Sequence, residues 1–106
     1  MPKITYDKLV RDKIPEIIRN DGGEPRIYFI EDEQEFEDRL IQKLAEELKE
    51  FRSSKSLEEL ADMLEVIIAL LNLQGKSFSD LEHIRRQKRQ KNGSFTKGIV
   101  LKSVKR

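Results

Sequence analysis

The sequence contains no cysteine and no tryptophan, and histidine occurs once. Without cysteine there is no disulfide framework, no thiolate metal site and no cysteine nucleophile, which fits a reducing compartment. The sequence also lacks GxGxxG, GxxxxGK[ST] and any histidine pair, so Rossmann, P-loop and zincin sites have no support. Any chemistry must therefore come from carboxylates and basic side chains.

Long apolar runs are missing as well. The longest, Val66 to Leu71, is far shorter than the about 20 residues of a membrane span, and Met1 to Thr5 form no apolar signal core. We therefore expect a cytoplasmic protein without membrane contact. Lys and Arg number 21 against 20 Asp and Glu, a net charge of +1, which gives no reason to expect a general nucleic-acid coat.

A length of 106 residues predicts a single domain spanning 1–106. Apolar periodicity predicts a mainly α fold, a bundle of about four helices. The predicted helices span 6–20, with a bend at Pro15, then 33–52, 57–73 and 77–91. Asp32 or a neighbour is expected to cap the second helix, and Ser56 with Glu59 forms a predicted capping box before the third. Segments near 26–30 and 98–102 are candidates for a short two-stranded β element.

Acidic residues lie on the apolar faces of the second and third helices. Glu47 falls inside the stripe that contains Phe36, Leu40 and Leu44, where an unpaired carboxylate is costly. The third helix is apolar on two sides, which predicts packing against more than one partner. One side holds Leu57, Leu60, Leu64, Ile67, Ile68 and Leu71, and the other holds Val66, Leu70 and Leu73 and continues through Asp62 and Glu59.

These acids form two pairs at i, i+3 on helices that a short connector makes antiparallel. Glu47 with Glu50, and Glu59 with Asp62, are expected to converge at one end of a helical hairpin. Four like charges in contact need cations, and oxygen ligands favour Mg²⁺ first and Mn²⁺ second. The alternative is that these glutamates are ordinary surface charges or partners of Lys43 and Lys49.

Written as motifs, Glu46-Glu47-Leu48-Lys49-Glu50 is EExxE and Glu59-Leu60-Ala61-Asp62 is ExxD. Together they resemble the signature of the all-α nucleoside triphosphate pyrophosphohydrolase superfamily, which includes MazG-type enzymes and phosphoribosyl-ATP pyrophosphohydrolases. The segments 6–18 and 91–99 resemble the opening and the closing RGGF-type segment of its phosphoribosyl-ATP pyrophosphohydrolase-like branch. The resemblance thus covers nearly the whole chain.

The resemblance implies an enzyme: Mg²⁺-dependent cleavage between the α and β phosphates of a nucleotide, giving a monophosphate and pyrophosphate. It implies that Glu47, Glu50, Glu59 and Asp62 are the metal ligands, and that Glu46, Glu47 and Glu50 form the catalytic set, with Glu46 in an outer shell or orienting water. Aberrant nucleotides and phosphoribosyl-ATP both remain open as substrates. Members similar to this chain are commonly oligomeric, so a homodimer or homotetramer is expected.

Basic residues dominate the end of the chain, because no acid follows Glu82. An acidic metal site facing basic side chains suits a triphosphate with its magnesium. The candidate phosphate-binding residues are Lys8, Arg11, Lys13, Arg86, Arg89, Lys91 and Lys97.

Two other functions remain open. The basic end of the chain is typical of a helical module that binds nucleic-acid phosphates, although Phe95 is the only aromatic side chain near it. Alternatively, the second apolar face of the third helix makes the chain a structural dimerisation module without catalysis.

Overall fold

The structure, a computed structural model, describes residues 2–106. It contains four helices: α1 (Ile14–Asn20), α2 (Glu33–Ser54), α3 (Leu57–Leu73) and α4 (Phe78–Asn92). The prediction of a mainly α fold is confirmed. No helix within residues 2–106 combines the length and the apolar character that crossing a membrane requires.

The first helix is shorter than the sequence pattern predicted, beginning at Ile14 rather than Tyr6. Pro15 in its first turn explains the difference. Proline has no backbone N–H and its ring clashes with the carbonyl four residues back, so it is tolerated in the first turn of a helix but not in the helix interior. Residues 6–13 are consequently an irregular segment that leads into α1.

The two long helices begin at side-chain caps. Asp32 accepts a hydrogen bond from the Glu35 backbone N–H at 3.1 Å, which confirms the predicted cap of α2. Ser56 caps α3 by accepting from the Glu58 N–H at 3.0 Å. The predicted capping box with Glu59 is wrong, because Ser56 bonds one residue earlier and the Glu59 side chain turns into a groove between the helices.

A reciprocal capping box does form at α4, where the sequence pattern had not indicated one. Ser77 accepts from the Asp80 N–H at 3.1 Å, and the Asp80 carboxylate accepts from the Ser77 N–H at 2.8 Å. Hydrogen bonding of the Asp80 carboxylate to the Ser77 backbone N–H, and next to the Ser77 side chain, lowers the pKa of the Asp80 carboxyl from its ordinary value. The helix ends at Gly93, whose φ of +90° suits a residue without Cβ.

The predicted β element is not formed. Segments 26–30 and 98–102 have no regular secondary structure, no strand occurs anywhere in residues 2–106, and no backbone hydrogen bond joins the two segments. Strand-forming side chains stabilise a sheet by packing on a half-buried surface. Phe29 and Val100 instead are 84% and 82% exposed, so that surface is missing within the single chain.

The centre of the fold is the antiparallel hairpin of α2 and α3. Lys55 and Ser56 alone connect the helices, and Lys55 adopts left-handed backbone (φ +56°) that closes α2 through a bond from its N–H to the Phe51 carbonyl. Val66 on the second apolar face of α3 is buried, as is Leu40 on α2. The N-terminal half of the first apolar face of α3 is exposed, with Leu57 at 79% and Leu60 and Leu64 at 44% each.

The chain as a whole is elongated, with a radius of gyration of 18.7 Å and extents of 66 × 33 × 23 Å. A compact domain of this size has a radius of gyration of about 13 Å. Its accessible surface is 10200 Å², whereas a folded monomer of this mass exposes about 6,200 Å². Large apolar side chains are among the exposed ones: Phe95 is 100% exposed, Phe29 84% and Ile99 80%.

Candidate functional site

Glu47 is the buried charged residue of the hairpin. It lies seven residues after Leu40 and therefore on the same face of α2, where its side chain is 5% exposed. Lys43, one turn earlier, approaches Oε1 at 3.5 Å, but Oε2 is buried and finds no hydrogen-bond partner in residues 2–106. A buried carboxylate oxygen without a partner is expensive, so this position demands an explanation.

The surroundings of Glu47 raise its pKa above the ordinary glutamate value. Burial is the largest cause, and the negative charges of Glu50 and Asp62 add to it, while Lys43 opposes the shift. Acids of both helices therefore contribute to the raised pKa of Glu47, since Glu50 lies on α2 and Asp62 on α3.

A groove of about 490 Å³ opens at the connected end of the hairpin, and Glu47 itself is not among its lining residues. Glu59 contributes a second buried carboxylate oxygen, Oε2, which also finds no partner within the described chain. The groove combines three of the predicted site acids with one ammonium group and two hydroxyls. Its lining residues are Glu46, Lys49, Glu50, Ser53, Ser54 and Glu59.

The fourth predicted ligand, Asp62, forms an ion pair with a residue of the N-terminal segment. Arg11 Nη2 lies 2.6 Å from Asp62 Oδ1, and both side chains are partly exposed. Arg11 is a predicted phosphate-binding residue and Asp62 a predicted metal ligand, and the structure pairs the two side chains with each other. The irregular N-terminal segment thereby reaches the acidic end of α3.

A polar cluster that the sequence pattern did not reveal holds this N-terminal segment on α2. Arg39 donates to the Asp7 carbonyl and carboxylate, each at 3.0 Å, and to the Tyr28 hydroxyl at 3.3 Å. Tyr28 in turn donates to Glu35 at 2.6 Å, and this bond is the main cause of the raised pKa of the Tyr28 hydroxyl. The members are separated by up to 32 residues, so no local motif could have indicated the cluster.

The chemistry of the acids fits a hard divalent cation, whereas their side-chain placement is not that of a closed site. All four predicted ligands supply carboxylate oxygens, and two of those oxygens are buried without a partner. Yet across residues 2–106 no group of three or more acidic or histidine side chains is placed to hold a metal ion. Asp62 would have to release Arg11 to join such a group.

The remaining candidate phosphate-binding residues do not gather at the groove. Lys8 sits over the Tyr6 ring at 5.5 Å, and Lys13 precedes α1. Arg86 pairs with Glu82 of its own helix at 3.5 Å. Exposed positions on the last turn of α4 and beyond are occupied by Arg89, Lys91 and Lys97. Of the predicted cations, only Arg11 forms an ion pair with a site acid in the described chain.

Lys43 also bears on the site, since it lies 3.5 Å from Glu47 and 3.8 Å from Glu46. Its spacing of three and four residues from these acids is readable from the sequence. Glu46 and Glu47 are thus partners of a nearby lysine, as the alternative predicted, although Oε2 of Glu47 has no hydrogen-bond partner within the described chain.

Comparisons of the chain with protein-family models, curated proteins and solved structures found no match. The resemblance carried by EExxE and ExxD therefore stays a prediction.

Proposed function

We propose that this protein is a Mg²⁺-dependent nucleotide pyrophosphohydrolase that cleaves between the α and β phosphates of a nucleoside triphosphate or phosphoribosyl-ATP. The observation that carries the proposal is Glu47, a carboxylate 5% exposed, with one oxygen unpartnered, facing the charges of Glu50 and Asp62.

The physical argument is one of cost. A leucine or methionine at position 47 would extend the stripe of Leu40, and replacing a buried charge by an apolar side chain is often neutral or stabilising. Lys43 offsets only one of the two oxygens. A cation that binds the second oxygen would account for a carboxylate that packing alone does not favour.

Glu47, Glu50, Glu59 and Asp62 would hold the ion, and Glu46, at the rim of the groove, would orient water or an outer ligand. When bound, Mg²⁺ would neutralise phosphate charge and activate the attacking water. Arg11 carries the planar guanidinium fork that matches phosphate oxygens, and it already lies at the acidic site. In this proposal Arg11 exchanges its bond to Asp62 for bonds to the substrate's phosphates, which releases Asp62 toward the metal.

The test is pyrophosphate release from a panel of ordinary and modified nucleoside triphosphates and phosphoribosyl-ATP, with Mg²⁺ and with chelator. Glu50→Gln removes one carboxylate from the groove and is expected to abolish release. Glu37→Gln is the matched control, because Glu37 is an exposed glutamate of the same helix far from the groove. Release that disappears with chelator and with Glu50→Gln, but persists in Glu37→Gln, supports the proposal.

Calorimetric titration with Mg²⁺ separates the two ways in which the assay can fail. If Mg²⁺ binds the intact chain but not Glu50→Gln, and no nucleotide is hydrolysed, the result supports the metal site and contradicts the proposed activity. If no nucleotide is hydrolysed and Mg²⁺ does not bind the intact chain, both the metal site and the activity are contradicted.

A second candidate rests on the exposed basic side chains of α4. No acid follows Glu82, and the positive side chains from Arg89 onward point into solvent. A module that binds nucleic-acid phosphates would use this surface with a steep salt dependence. Affinity for duplex DNA that falls with salt and does not respond to chelator or to Glu50→Gln would favour this candidate.

We also propose that the protein is a homo-oligomer, a dimer or a tetramer. The support is the accessible surface of 10200 Å², which exceeds that of a folded monomer of this size by about 4,000 Å².

A further inference from the structure

The C-terminal arm, residues 93–106, leaves the body of the protein uncovered. It begins at Gly93 as an irregular segment whose internal backbone bonding is limited to a turn, in which the Gly98 N–H donates to the Phe95 carbonyl. Its apolar side chains do not pack on their own chain: Phe95 is 100% exposed, Ile99 80% and Leu101 77%. Ordering such a segment costs conformational entropy that contacts elsewhere must offset.

The first face of α3 is the complementary surface. Leu57 is 79% exposed, and Leu60 and Leu64 are each 44% exposed, so an apolar stripe runs along the N-terminal half of the helix. Glu58 and Glu65 lie on the flank beyond one edge of this stripe, about 80–100° around the helix from Leu57. Both are exposed, and neither joins an ion pair in residues 2–106.

The charges of the two surfaces match. The arm carries Lys97, Lys102, Lys105 and Arg106 and no acid, while the flank of the α3 stripe is acidic. In extended chain Ile99 and Leu101 fall on one side, so they can face apolar residues while Lys97 or Lys102 reaches the acids. The arm thus supplies positive charges, α3 supplies negative charges, and both carry exposed apolar side chains.

The exposed area identifies the occupant as a second copy of this chain. The excess of about 4,000 Å² per chain is more than an obligate homodimer buries on each partner, about 1,000–2,500 Å². Docking of the arm on its own α3 is not what the structure has, because both surfaces are exposed together in the same chain. If the arm of one copy packs on α3 of another copy, the apolar side chains of the arm and of the α3 stripe are both covered.

We propose that the C-terminal arm of one copy packs along the Leu57–Leu60–Leu64 stripe of α3 in a second copy, so that an exchange of arms holds the oligomer together. This inference does not depend on the proposed enzymatic function, since it follows from apolar exposure, charge and area alone.

Cross-linking tests it directly, because the natural chain has no cysteine to interfere. Two full-length variants, Leu60→Cys and Leu101→Cys, are mixed and oxidised. A disulfide-linked pair of chains is expected at several-fold higher yield in the mixture than in either variant alone. The control mixture pairs Leu101→Cys with Glu37→Cys, an exposed position near the other end of the hairpin, and is expected to give only background.

Further outcomes keep the experiment decisive. A yield equal to that of the control overturns the proposal. So does a link that closes within one chain when both cysteines are placed in the same molecule and diluted. Removing residues 93–106 tests the energetic role: sedimentation should show the mass of one chain where the full chain shows that of two or more. An oligomer that keeps its full stability without the arm contradicts the inference, and the cross-link decides the matter if the shortened chain fails to fold.

Discussion

Replacing Glu47 by glutamine should stabilise the metal-free protein. The variant keeps the size of the side chain but removes a charge that is 5% exposed and has one unpartnered oxygen. An unsatisfied buried polar group costs about 1–3 kcal/mol, and glutamine still presents one such group. Lys43 is not stranded by the change, because its ammonium also lies 3.8 Å from Glu46. We therefore expect a net gain of about 1 kcal/mol at pH 7.

The gain should depend on pH with a definite sign. The pKa of Glu47 is raised in the folded protein, so the folded state binds a proton more readily than the unfolded state. Stability from this group is fully present below the ordinary glutamate pKa and is lost as the pH rises through the folded pKa. The advantage of Glu47→Gln is thus largest at neutral pH and disappears in acid, where Glu47 is protonated in both states.

The assay is urea unfolding at fixed protein concentration from pH 4 to pH 8, in the presence of chelator, with Glu37→Gln as the exposed control. The concentration is fixed because self-association stabilises the folded state by mass action. The control should stay within about 0.5 kcal/mol of the natural chain at every pH. A Glu47→Gln variant that is less stable at pH 7, or whose advantage is the same at all pH values, would refute the reasoning.

Magnesium should reverse the order of stabilities. A ligand at about 100 times its Kd stabilises the folded state by about 2.7 kcal/mol. The natural chain is expected to gain this amount, and Glu47→Gln to gain little. Equal gains in the two proteins would place Mg²⁺ away from Glu47.

Three further predictions concern the packing and the N-terminal segment. Leu40→Ala should cost about 2–5 kcal/mol in urea unfolding because Leu40 is 3% exposed, whereas Leu48→Ala on the open face of α2 should cost much less. Asp32→Ala should cost about 1 kcal/mol in the same assay by removing the cap of α2; no measurable loss would mean that the cap is replaced by water. Arg39→Ala should release segment 6–13, seen as faster hydrogen exchange around Asp7 with little change in α3, and unchanged exchange there would contradict the clamp role of Arg39.

Local signals in the sequence predicted the helices closely. The apolar period located α2 and α3, the short connector made them antiparallel, and Asp32 and Ser56 capped them as side-chain chemistry requires. Of the two apolar sides of α3, the side of Val66 is buried in the structure, whereas Leu57 on the other side is 79% exposed; packing of that side against a second partner stays a prediction. These features depend on residues close in the sequence.

What the sequence could not supply depends on distant residues. The bond between Arg11 and Asp62 spans 51 positions, and the cluster around Arg39 joins three separate segments. The predicted strands failed for a related reason: β-forming residues need a surface to pack on, and the single chain offers none. The predicted start of α1 at Tyr6 was wrong because apolar periodicity continues through residues 6–13, whereas Pro15 is accommodated only in the first turn of the helix.

Gly93 would influence the symmetry of the proposed assembly. Its φ of +90°, with open space where a Cβ would lie, sets the direction in which the arm leaves α4. If two copies exchange arms reciprocally, the assembly closes on itself about a two-fold axis; if each arm goes to a new neighbour, the contact repeats into a ring or an open filament. A backbone change at this one position, such as Gly93→Ala, would redirect the arm without altering either contacting surface. In the proposed exchange of arms, the backbone of Gly93 is therefore one determinant of whether the assembly closes or extends as a polymer.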